Sequence, residues 1–233
     1  EAYLFTPDCR MLVLAPGLTQ RMPEAAATPD SLFGLAVEAL GSFESRYSQL
    51  IDSLSPEQAA VDTVEAFLVY PLGAMLLDIP EAFKWQGDSL KCGFSLRKEG
   101  ERRALLNLST RDGRVRSAQY DSLLQLGQVY RWRVSSPSEA DSSWFSVLDD
   151  RGLVSLGALL ERLESLEQGD AGPDGKVPFG WVWLKAALLS HRGLYYEARS
   201  VVRTRRELYP EEAALCDSLL YRVRLMQRRG GPF

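Results

Sequence analysis

A chain of 233 residues, 45% of them hydrophobic, has enough apolar surface for one large folded domain or two small ones and is not a disordered segment. Its formal net charge of −4 gives no general attraction to nucleic acid or to an anionic membrane. No run approaches the roughly 18 consecutive apolar residues that a membrane-spanning helix requires; the longest candidate, residues 66–77, is too short and contains Pro71 and Gly73. Cys9, Cys92 and Cys216 are far apart and lack CxxC spacing, which excludes a disulfide framework and a zinc site. They are expected to be isolated, mostly buried thiols, with a single bridge as the alternative in an oxidising compartment. The first residue, Glu1, leads us to expect a processed chain from which a signal peptide or anchor has been removed, with a trimmed chain as the alternative.

Residues 1–29 mix short apolar runs with Pro7, Pro16, Pro23 and Pro29 and are expected to form an extended arm, ordered by a partner. Asp30 is placed to cap a helix in which Leu32, Ala36, Leu40, Phe43, Tyr47, Leu50 and Leu54 recur every three or four residues. Ser55, Pro56 and Gln58 have the spacing of a second helix start, with proline at the first helical position. Residues 30–65 are therefore expected to be a helical hairpin.

From residue 66 the period changes to alternation. Leu90, Cys92, Phe94 and Leu96 share one strand face, and Ala104, Leu106 and Leu108 continue the inward side after a turn at Gly100. Asp112-Gly113 has the chemistry of a hairpin turn. Tyr130, Trp132 and Val134 alternate with Arg131, Arg133 and Ser135, and residues 144–148 form a last strand. Six or seven short strands at this spacing predict an antiparallel sandwich over 66–150. Leu153, Leu156, Leu160 and Leu163 return to helical period in a connecting helix, 151–168; residues 169–178 are a Gly, Pro and Asp linker; and 179–233 is helical, punctuated by Gly193 and Pro210. The whole is an α+β chain.

Two stretches resemble known families. Tyr70-Pro71-Leu72-Gly73, Pro80 with Phe83-Lys84-Trp85, residues 126–134 and residues 144–148 together resemble the fibronectin-III-like sandwiches of bacterial envelope proteins. Gly193, Tyr195, Ala198, Val202 and Pro210 fall at the spacing of the second half of a tetratricopeptide repeat, although Lys185 and Arg205 stand where small or apolar residues are usual. A single repeat cannot bury its own face, so a third helix carrying Leu215, Leu219, Val223 and Met226 is expected to cap it. A sandwich followed by a helix and then residues 193–198 is similar to the extracytoplasmic part of membrane-anchored, anti-sigma-type regulators, and to a cyanobacterial envelope family of unknown function. Neither resemblance supplies catalytic residues.

Chemistry-bearing constellations are sparse. His191 is the sole histidine and sits at a helix end, where interaction with the last carbonyls is its expected role. Asp149-Asp150, Glu161 with Glu164, and Glu211-Glu212 are expected to be helix caps and solvated faces. Asp170, Asp174 and Gly175 lack the alternating ligands and closing Glu of a calcium loop. Arg203, Arg205, Arg206, Arg222, Arg224, Arg228 and Arg229 make a basic tail interleaved with Glu207, Glu211, Glu212 and Asp217, expected to be a solvated face and not a nucleic-acid site. Trp181, Trp183, Tyr195 and Tyr196 form an aromatic group that either fills the core or anchors a partner. The same choice, internal packing or partner contact, applies to the stripe with Phe43, Tyr47 and Leu50, and Arg222 and Arg224 join the partner-binding candidates. Together these features predict a non-catalytic, cofactor-free assembly module of a bacterial envelope, periplasmic or extracellular, binding a protein partner in a membrane or surface complex. The alternatives are the sensor part of a membrane-anchored regulator and an enzyme acting on a wall polymer.

Overall fold

A computed structural model describes residues 2–5, 11–14, 32–53, 68–86, 91–137, 140–173 and 175–229. Two segments of the expected arm, β1 (Ala2–Phe5) and β2 (Met11–Leu14), pair as an antiparallel ribbon with Ala2 opposite Leu14. Helix α1 (Leu32–Asp52) follows, and its stripe is inward: Ala36, Ala39 and Phe43 are buried, and Leu40, Tyr47 and Leu50 are half-buried. Leu54 and the second helix expected at 56–65 lie outside the described residues, as does Leu90 of the first strand face.

Eight strands follow: β3 (Leu68–Tyr70), β4 (Ala74–Leu76), β5 (Ala82–Trp85), β6 (Cys92–Lys98), β7 (Leu106–Thr110), β8 (Arg114–Arg116), β9 (Val129–Ser135) and β10 (Ala140–Val147). They form two sheets, β3-β5-β8 and β4-β10-β9-β6-β7. Alternation places Cys92, Phe94 and Leu96 of β6 and Tyr130, Trp132 and Val134 of β9 in the interior. Leu106 and Leu108 are only half-buried, because β7 is an edge strand. Phe83 sits at the centre between the sheets, its ring 5.1 Å from Phe94, 4.6 Å from Tyr120, 5.1 Å from Trp132 and 5.3 Å from Phe145.

Two strand-level expectations need correction. The sheets are not wholly antiparallel: β4 runs parallel to β10, with Ala74 opposite Phe145 and Leu76 opposite Val147. The cause is a change of sheet at residues 71–73, following the cis Tyr70–Pro71 bond, so that β3 belongs to one sheet and β4 to the other. Asp112-Gly113 does not close a hairpin either. Gly113 has the positive φ (61°) expected of a turn, but β7 pairs with β6 and β8 with β5, so the turn carries the chain from one sheet to the other.

The remaining helices are α2 (Asp150–Gly169), α3 (Phe179–His191), α4 (Tyr195–Leu208) and α5 (Ala213–Arg229). Asp149 caps α2, its carboxylate accepting from the Gly152 amide at 2.7 Å. Gly193, at φ 75°, makes the tight turn from α3 to α4, and Pro210 opens a 3-10 turn before α5. Helix α3 is central and packs on α1, α4 and α5. Its Trp181, Leu184 and Leu188 form a core with Ala36 and Ala39 of α1 and Leu159 and Leu163 of α2. None of the described helices is long and apolar enough to cross a membrane.

The sandwich and the helices share one continuous core, and a seam of hydrogen bonds to the main chain of Leu72 and Met75 joins them. At the sheet switch, the Leu72 amide donates to the Tyr196 hydroxyl at 2.9 Å, and Gln227 Nε2 donates to the Leu72 carbonyl at 2.8 Å. The Met75 amide donates to the Gly193 carbonyl at 2.9 Å, covering the edge of β4. Gly73 has φ 42°, and a Cβ there would lie 2.4 Å from the Gln227 carbonyl oxygen, so only glycine fits. Burial in this seam pushes the Tyr196 hydroxyl up to about 12.

Candidate functional site

Helices α3 and α4 pack on one another through Tyr195, Ala198 and Val202, which occupy one side of α4. At about 100° per residue, Thr204 and Leu208 turn away from that core, while Val201 is partly buried against it. With Val177 and Val182 they line an open cleft of about 340 Å³. Leu208 is 67% exposed at its mouth, a large apolar side chain left in water.

The rim of the cleft is made by the two residues that depart from the tetratricopeptide pattern. Lys185 of α3 ion-pairs with Glu167 of α2, both largely shielded from water. Arg205 is 5% exposed, and a buried guanidinium must be paired. Its Nε donates to Glu212 Oε2 at 2.6 Å, and its Nη2 donates to Glu212 Oε1 at 3.0 Å and to the Val177 carbonyl at 2.8 Å. The guanidinium also lies 3.9 Å from the Tyr209 ring centroid, and Lys176 Nζ lies 4.8 Å from the same ring. Lys176 reaches Glu211 at 2.7 Å and Glu212 at 3.0 Å. Burial works against the charged form of Glu212, but the bonds from Arg205 and Lys176 outweigh it and hold its carboxyl below the ordinary range. This network fixes the linker and the α4–α5 turn as one wall of the cleft.

A second cluster lies where α1 meets α5. Arg222 donates from Nη1 to both carboxylate oxygens of Glu44, at 2.7 and 3.0 Å, while its guanidinium stacks 4.5 Å from the Tyr47 ring and 5.3 Å from the Trp183 ring. Of the candidates named from sequence, Tyr47, Trp183 and Arg222 are thus brought together in one clip. Trp183 Nε1 is buried with no hydrogen-bond partner among the described residues. Phe43 is buried and Leu50 half-buried, both in the core under this clip. Trp181 and Tyr195 are 0% exposed, which removes them from any contact surface; Trp181 donates to Asp170 Oδ2 at 3.0 Å. Tyr196 is held in the seam, and Arg224 is exposed on α5.

The other chemistry-bearing residues have structural settings. His191 Nε2 lies 3.8 Å from Glu38 Oε1 at the end of α3. Asp149 is a cap, Glu161 and Glu164 are exposed, and Glu211 and Glu212 hold the cleft wall. Cys92 and Cys216 are buried free thiols, and Cys9 lies outside the described residues. Among the described residues, no group of three or more His, Cys, Asp or Glu side chains is placed to hold a metal ion.

No protein-family model matches the chain, and no curated protein matches it in sequence. The cleft residues Val182, Val201, Thr204 and Leu208 escaped sequence reasoning. The available signal was Leu208, an apolar residue on the side of α4 away from Ala198 and Val202.

Proposed function

We propose that this chain is a protein-interaction and assembly module of the bacterial cell envelope. In this reading a fibronectin-III-like sandwich carries tetratricopeptide-like helices, and the α3/α4 cleft takes the anchoring side chains of a larger partner. The observation that carries the reading is the cleft itself. An apolar floor of Val177, Val182 and Val201, with Leu208 at the mouth, is framed by charges already paired within the chain. Its volume of about 340 Å³ suits a few anchoring side chains. The immobilised rim means that little ordering has to accompany binding. The sandwich assignment is supported by the strand order β3-β5-β8 facing β4-β10-β9-β6-β7, and the helical one by Gly193, Ala198 and Pro210 at a turn, a close approach and a helix end.

Site-directed photo-crosslinking tests the reading. A photoreactive residue at Leu208 of the full chain, exposed to an envelope fraction of the source cells, is expected to give one discrete adduct. Filling the cleft with Val201→Trp should abolish that adduct, and a probe at Val154, 74% exposed on α2, should give none. Equal adducts at both positions, or an adduct indifferent to Val201→Trp, would overturn it.

A further inference from the structure

The side of α4 opposite the cleft carries a different signal. Helices α4 and α5 run antiparallel, and their facing residues form rungs. At one end Arg206 Nε pairs with Asp217 Oδ1 at 3.0 Å, and at the other Arg199 Nη1 donates to Gln227 Oε1 at 3.2 Å. Between those rungs the acids run out. Arg203 lies one turn from Arg199 on α4, while α5 presents Tyr221 and Arg224. Among the described residues no carboxylate pairs with Arg199, Arg203 or Arg224, and Glu207, one turn beyond Arg203, makes no ion pair with it.

Arg199 is the fixed member of the group. Its guanidinium lies 5.8 Å from the Tyr196 ring centroid, is held by Gln227, and has its Nε buried without a hydrogen-bond partner among the described residues. Burial first, then the fields of Arg203, Arg224 and Arg228, hold its pKa below the ordinary guanidinium range. Arg203 and Arg224 are exposed around it. The like charges of Arg199, Arg203 and Arg224 on two packed helices repel one another, and an anion placed among them relieves that repulsion. Guanidinium groups match the oxygens of phosphate and sulfate with paired N–H donors, which lysine does not.

We propose that the α4/α5 face bearing Arg199, Arg203 and Arg224 binds a phosphate- or sulfate-type oxyanion, with Arg199 as the preset donor and the two exposed arginines closing on the ligand. The site is on the far side of α4 from the cleft and does not depend on the partner-binding reading. Its ligand chemistry is common to a soluble oxyanion and to the headgroup of an anionic lipid.

The test uses the full chain at low ionic strength with two probes. These are inorganic pyrophosphate, followed by calorimetry, and phosphatidylglycerol vesicles, followed by co-sedimentation against phosphatidylcholine vesicles. Arg203→Glu with Arg224→Glu is expected to weaken binding at least about tenfold, and the two lysine replacements by less, since they keep the charge and lose the paired geometry. Arg203→Gln with Arg224→Gln serves if the charge reversal disturbs folding, which circular dichroism checks. Pyrophosphate binding lost in the variants supports a soluble ligand; vesicle binding alone, lost in the same way, supports a lipid headgroup. Binding of neither probe, or binding unchanged by the substitutions, overturns the proposal.

Discussion

The sandwich and the helical half are held together by different means. In the sandwich the decisive contacts are aromatic: Phe83 meets four rings, and the exposed Arg131–Glu99 pair contributes little beside them. In the helices the decisive contacts are shielded cations seated on carboxylates and rings, Arg205 on Glu212 and Tyr209, Lys185 on Glu167, and Arg222 on Glu44, Tyr47 and Trp183. Two stacked sheets make an interior wide enough for whole rings. Helices α4 and α5 each have a narrow apolar side, and long basic side chains extend it by burying their stems. The residues that complete the helical core are therefore the same types that make polar contact surfaces, which is why both candidate sites lie in that half.

That contrast can be broken from either side. The largest effect is expected from Phe83→Ala, which removes a fully buried ring and should cost about 4 kcal/mol in denaturant unfolding. Next comes Arg205→Met, which leaves Glu212 with Lys176 alone and should cost about 3 kcal/mol. A loss below about 0.5 kcal/mol would mean that the helical half does not rely on its shielded ion pairs. Gly73→Ala sets a side chain against the Gln227 carbonyl and should cost about 2 kcal/mol, with faster amide exchange at Leu72 and Met75.

The smallest effects are in pH dependence, where two carboxylates act with opposite sign. Glu212 is held below the ordinary range, so its contribution is present above the unfolded carboxylate value and is lost as pH falls through the folded one. Glu197 is raised, chiefly by burial, and one of its oxygens has no hydrogen-bond partner among the described residues. The folded state then holds its proton more tightly, so stability falls as pH rises from the ordinary carboxylate range through the raised value. Glu197→Gln should stabilise the chain by up to about 1 kcal/mol at pH 7 and remove that slope, and Glu212→Gln should flatten the acid limb; melting temperatures from pH 4 to 7 separate the two.

Much of this was legible where local pattern decides structure. Alternation at Cys92, Phe94 and Leu96, and at Tyr130, Trp132 and Val134, gave the buried strand faces, and the three-to-four spacing through Ala36, Phe43 and Tyr47 gave the inward side of α1. The change of sheet at residues 71–73 was not legible, because Tyr196 and Gln227, more than 120 residues away, secure it. The Asp112-Gly113 turn was recognisable as a turn, but local chemistry does not say which sheet the next strand joins. Lys185 and Arg205 stood out as misfits; their partners Glu167 and Glu212 became visible only once the linker was folded back. The aromatic group split for a similar reason, Trp181 and Tyr195 facing the core and Trp183 meeting Arg222.

The central claim is that the seam makes the sandwich and the helices a single cooperative body that presents the cleft. Hydrogen exchange of the full chain across a denaturant series tests it most directly, read separately on peptides from residues 68–147 and 179–229. One shared midpoint for both sets, splitting into two in Gly73→Ala, is the predicted result. Two separate midpoints in the unsubstituted chain would contradict it.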